Sequence, residues 1–131
     1  MLKQSKILTG IGWGFTGLVG AALTFSAVMK FVKPPDVAKE FVRLGYGENM
    51  ALGIGILEIA CTVLYVIPQT SILGAILLTG YLGGATATHV RIGDPFFPPL
   101  IMGILLWIGI FLREPRLRAI LPIRSPGSLA K

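Results

Sequence analysis

The chain of 131 residues holds one cysteine and one histidine. Cys61 alone cannot form an internal disulfide or a CxxC redox pair. His89 alone excludes a bis-histidine haem site within one chain. No Cys/His set has zinc spacing, so no metal is expected. No phosphate-binding P-loop motif is present. Acidic residues are few, 6 against 12 Lys and Arg, and charged residues of both signs make up 14% of the chain. With 53% hydrophobic residues and a mean hydropathy of +0.77, a soluble domain of this size could not cover its apolar surface. Lipid is the solvent that removes the problem. A net charge of +6 in a soluble protein would point to nucleic acid. Here the cations flank the apolar runs, where anionic headgroups sit, so the expected partner is membrane lipid and not nucleic acid.

What is there is four apolar runs, at about residues 7–29, 50–67, 72–90 and 96–112. A hydrocarbon core of roughly 30 Å needs about 20 helical residues at about 1.5 Å each, so all four are candidate spans. The expected fold is all-α: one domain over residues 1–131, an antiparallel four-transmembrane-helix bundle. Between spans one and two, Pro34 and Pro35 stop the first helix. Asp36 can then cap a short amphipathic helix suited to the interface, ended by Gly45 and Gly47. Pro68 to Ser71 is a tight turn, making spans two and three antiparallel neighbours.

Both termini then lie on one side, with Lys3, Lys6, Arg113, Arg116, Arg118, Arg124 and Lys131, seven cations against the five of Lys30, Lys33, Lys39, Arg43 and Arg91. The positive-inside rule places the termini in the cytoplasm, for a bacterial inner membrane. Small residues form a stripe at Gly10, Gly14, Gly17 and Ala21 and another at Gly80, Gly84 and Ala87. Such stripes let helix backbones approach closely. They exceed what one bundle needs internally, so a homo-oligomer is expected.

Glu58 stands alone in an apolar run, near mid-membrane, where a carboxylate costs on the order of 3 kcal/mol. Counting from the turn puts Tyr81 level with it, and a count along the first span reaches Thr16. Two readings follow. In one, Glu58 hydrogen-bonds Tyr81 and Thr16 as polar glue between helices. In the other, Glu58 is a proton carrier or a ligand partner in the bundle centre. Lys30, His89 and Arg91 lie near one mouth, and a polar path could run inward from them through Thr88 and Tyr81 to Glu58. In that path His89 is the residue type that can exchange protons with water. Alternatively, His89 is a simple interfacial residue and Lys30 and Arg91 reach for headgroups.

Lys30 and the segments LGYGENMALGIGILEIACTVLYVIP and GAILLTGYLGGATATHVRIGDPFFPP resemble the DoxX-like family of small four-helix membrane proteins. Glu58, Pro68 and the GGATATH segment ending in His89 carry the resemblance, which runs from the first span to LREPRLRAILP. It implies a non-catalytic or accessory membrane subunit in redox metabolism. The family takes its name from the small subunit of an archaeal thiosulfate:quinone oxidoreductase. A quinone-like or other isoprenoid lipid and a redox partner protein are therefore implied, with Tyr81, Glu58 and His89 as donor types for a quinone carbonyl. Some relatives carry cysteine pairs for thiol chemistry; this chain has Cys61 alone. No catalytic residue is assigned. A scaffold or assembly factor is the second expectation, and a proton-coupled small transporter the third.

Overall fold

The structure, a computed structural model, describes residues 6–32, 34–47 and 49–123. Among these residues it is all-helical, with no strand. The helices are α1 (Lys6–Val32), α2 (Pro35–Arg43), α3 (Met50–Val66), α4 (Ser71–Arg91), α5 (Phe97–Arg113) and α6 (Pro115–Arg118). A 3-10 turn, Pro68–Thr70, joins α3 to α4.

The boundaries follow local chemistry. Pro34 ends α1 two residues beyond Val32, and Pro35 opens α2, where its missing N–H and fixed φ suit a first turn. Asp36 lies inside that turn and does not cap it; Pro34 holds the cap position. Gly45, at φ +90°, turns the chain out of α2. Pro98 and Pro99 sit in the first turn of α5. The short α6 was not expected: Pro115 opens it, and the Glu114 side chain accepts from the Arg116 N–H at 3.2 Å.

The four long helices pack in a ring, α1 against α3 and α5, and α4 against α3 and α5. Three glycines set the closest approaches. A Cβ on Gly12 would stand 2.8 Å from the Arg113 backbone N, one on Gly74 2.2 Å from the Tyr65 N, and one on Gly55 3.0 Å from the Phe31 ring. These contacts put the start of α1 on the end of α5, the start of α4 on the end of α3, and the end of α1 on the early part of α3.

The small-residue stripes do not make these contacts. Gly10, Gly14, Gly17 and Ala21 are exposed, as are Gly80, Gly84 and Ala87. A Cβ at any of the five glycines would meet nothing within 4 Å. The inward face of α1 is the adjacent one, which carries Gly12, Thr16, Val19, Gly20 and Leu23.

The core is Val19, Leu23, Cys61, Tyr65, Ala75, Leu78, Leu82, Leu106, Ile110 and Leu117. Outside it, every long helix presents large apolar side chains: Phe25 is 68% exposed, Leu52 57%, Ile76 56% and Ile104 54%. Meanwhile Thr16, Glu58, Thr62, Ser71 and Arg113 are buried. Polar groups inside and aliphatic groups outside invert the pattern of a water-soluble bundle.

Candidate functional site

Glu58 is 1% exposed, on the inner face of α3. Lys30, on α1, donates from Nζ to Glu58 Oε2 at 2.7 Å. Ser26, one turn before Lys30, donates to the same oxygen at 3.3 Å and accepts from Lys30 Nζ at 2.7 Å. The residues that build this triangle lie at helical spacing. Ser26 and Lys30 are four apart on α1, and Gly55 and Glu58 three apart on α3, so each pair shares a face. Gly55 matters because a Cβ there would stand 3.1 Å from Lys30 Cβ. Its absence lets the lysine stem pass between the helices, and the side chain is left 13% exposed.

Lys30 therefore turns inward instead of reaching for headgroups. The α1 helix runs on to Val32, so Lys30 is inside it and level with Gly55. Glu58 lies three residues further along α3, about 4.5 Å by rise, well within the reach of a lysine. A carboxylate and an ammonium in apolar surroundings each carry a desolvation cost that the other offsets.

Tyr81 of α4 stands beside Glu58, and Cys61 and Tyr46 are its further polar neighbours. Tyr46 hydrogen-bonds Thr88 Oγ1 at 2.9 Å, and Thr88 donates to Gly84 O at 2.8 Å. The centre thus brings together Ser26, Lys30, Glu58, Tyr81, Cys61, Tyr46 and Thr88. Ser26 and Tyr46 were missed by the sequence reading.

Thr16 is not with Glu58. Its hydroxyl donates to Gly12 O at 2.9 Å. It belongs to a second polar node at the other end of the bundle, where Thr16 and Tyr65 both crowd the missing side chain of Gly109. There Tyr65 donates to Leu106 O at 2.6 Å. The buried Arg113 donates to Tyr65 O at 2.6 Å and stacks 4.3 Å from the Trp13 ring centroid. By sequence Arg113 is one of the tail cations; the fold draws it inside.

His89 and Arg91 form a third group, at the loop end, and do not extend the path inward. Arg91 donates to Leu44 O. His89 Nδ1 is 3.7 Å from Asp94 Oδ2, without a hydrogen bond. Asp94 is held instead by the Arg43 guanidinium, through both of its oxygens. Arg43 also grips Glu40, at 3.0 Å from Nε. Arg43 holds the Asp94 carboxyl below its ordinary range, and Asp94, then Glu40, push the guanidinium up.

Two grooves open on the outside of the bundle. One, of about 650 Å³, runs between α4 and α5 past Leu82, Gly83, Gly103, Ile104 and Trp107 to Leu121 and Pro122. The other, of about 380 Å³, lies between α1 and α3 past Trp13, Gly17, Ile59 and Val63. Glu58 lines neither. No group of three or more metal-ligating side chains occurs among the described residues.

Charge is divided unevenly between the two ends. Among the described residues, the terminal face holds Lys6, Arg113, Arg116 and Arg118 against Glu114, a net of three positive charges. At the loop face, Lys39, Arg43 and Arg91 cancel Asp36, Glu40 and Asp94.

An all-helical chain with its ion pair inside and its aliphatic side chains outside is of the membrane-protein class. α1 is long and apolar enough to cross a bilayer, as is α4 with its preceding turn; α3 and α5 are shorter apolar helices of 17 residues. The chain belongs to the DoxX-like family, whose sequence model matches residues 14–111. No curated protein and no solved structure matches it.

Proposed function

We propose that all four long helices cross the bilayer in antiparallel order, and that the chain is a non-catalytic membrane subunit that holds a lipophilic ligand in the groove between α4 and α5. The membrane is a bacterial inner membrane with both termini cytoplasmic. The ligand is a quinone-like molecule or another lipid, and the service is to a redox partner, as the family resemblance implies. The observation that carries the reading is the outward apolar surface of all four helices, with one face indented by a groove of about 650 Å³. The Lys30–Glu58 pair supports a structural role for Glu58, since its carboxylate is 1% exposed, is held by Lys30 and Ser26, and lines neither groove. Mass spectrometry of lipophilic molecules that co-purify in mild detergent tests this. An enriched species should be present in wild type and in Tyr81→Phe, and lost in Gly83→Leu, whose added side chain points into open space. Bulk phospholipid alone in all three would sink the ligand reading.

The outward stripes favour a second reading, a homo-oligomeric scaffold. Gly14→Leu and Gly84→Leu should then abolish association and leave the monomer folded, because a Cβ at either position meets nothing within 4 Å. Unchanged association in both variants, by size-exclusion with light scattering, would exclude it.

A further inference from the structure

We propose that the α4–α5 groove is a site for an anionic glycerophospholipid, with one acyl chain lying in the groove and its phosphate at the Arg116–Arg118 turn. This rests on the membrane reading above and names the ligand class of that groove.

The shape fits one chain. The groove follows α5 from Pro99 to Leu112, about 20 Å by helical rise, against a hydrocarbon half-thickness of roughly 15 Å. Both walls are lowered by missing side chains. A Cβ on Gly83 would meet nothing within 4 Å, and one on Gly103 only Leu82 Cδ1 at 3.9 Å.

The hydrogen-bonding groups of the walls are spent on one another. Trp107 Nε1 donates to Thr79 Oγ1 at 2.7 Å, and Thr79 donates to Ala75 O at 2.7 Å. Thr86 donates to Leu82 O at 2.8 Å. A quinone ring would ask these walls for donors to its carbonyls; a saturated chain asks for none. The walls favour the chain.

The electrostatics choose the headgroup. Arg118 Nη1 donates to the carbonyls of Phe111 and Leu112, at 3.2 and 2.9 Å, and both residues line the groove. That places the guanidinium at the end where Leu121 and Pro122 border the groove. Arg116 is exposed on the same turn. This face carries the net positive charge of the described residues, and the opposite end of the groove, near Pro99, meets the neutral loop face. A phosphate with no compensating choline is the complement.

Trp107 lines the groove and reports on it. In the Trp13→Phe protein it is the sole tryptophan of the two in the chain. The full chain is reconstituted in phosphatidylcholine vesicles. Phosphatidylglycerol brominated at mid-chain is then compared with equally brominated phosphatidylcholine at the same mole fraction. The brominated anionic lipid should quench Trp107 at least about twofold more strongly. The double substitution Arg116→Gln/Arg118→Gln should erase that difference, and Gly83→Leu or Gly103→Leu should reduce quenching by both lipids. Equal quenching by the two lipids in the Trp13→Phe protein overturns the anionic assignment while leaving a lipophilic groove. Undiminished quenching in both leucine variants overturns the chain in the groove. No quenching by either lipid removes the groove from the membrane, and the ligand reading with it.

Discussion

The Lys30–Glu58 pair has a cost on either side of its formation. Breaking a buried pair by removing one partner leaves the other charge without compensation, at about 3–5 kcal/mol. Glu58→Gln and Lys30→Met should each lower the unfolding free energy by roughly 3 kcal/mol, and the double variant should recover most of it. Denaturant titration in detergent micelles measures the cycle. Additive losses would show that the two side chains do not act as a pair. Much of this centre was legible. Glu58 stood out as an isolated carboxylate, and counting from the Pro68 turn correctly levelled it with Tyr81, because a short turn fixes the register of its two helices. Lys30 was legible as a residue but not as the partner. Register between α1 and α3 passes through a 17-residue link, residues 33–49, and no count across such a link is reliable. Thr16, reached by a count along the first span alone, meets Tyr65 and Gly109 instead, while Ser26 takes the position beside Glu58.

At the scale of elements, α2 is a strap fastened at its C-terminal end. Phe41 is its buried side chain, packed 6.1 Å from the Tyr46 ring. Its far end is held by the Arg43–Asp94 fork, which reaches to the loop between α4 and α5. The depressed Asp94 carboxyl has a definite pH sign. Its stabilisation is complete above the ordinary value of 3.8 and is lost as pH falls through the lower folded value. A spin label at Lys39→Cys should therefore keep one mobility from pH 8 to 5 and loosen only below about 4. Asp94→Asn should show the loose spectrum throughout, and a parent label that loosens well above pH 5 would show that the Asp94 carboxylate does not hold the strap. Element ends were the readable part of the fold: runs expected at 50–67 and 72–90 are the helices Met50–Val66 and Ser71–Arg91. The fork was not readable, since Arg43 and Asp94 are 51 residues apart and no local pattern joins them.

At the scale of the molecule, the four helices keep polar groups in and aliphatic groups out, and the two ends differ in charge. If the terminal face is cytoplasmic, an impermeant maleimide should label Lys39→Cys in intact cells and Ile123→Cys only after permeabilisation. Cys61, 4% exposed, should remain unlabelled in both. The reverse pattern would invert the topology without changing the fold. The sequence count of seven cations to five understated this asymmetry, because it could not know that Lys30 is neutralised inside and that Arg43 is tied to two carboxylates.

That division of charge has a consequence in an energised membrane. A potential that is negative inside acts on each elementary charge with about 2.3 kcal/mol per 100 mV. If the terminal face is cytoplasmic, the three net positive charges of its described residues would make turning the molecule over cost on the order of 7 kcal/mol per 100 mV. The bilayer's own voltage would thus act as a lock on topology, one that is absent in detergent and in de-energised vesicles.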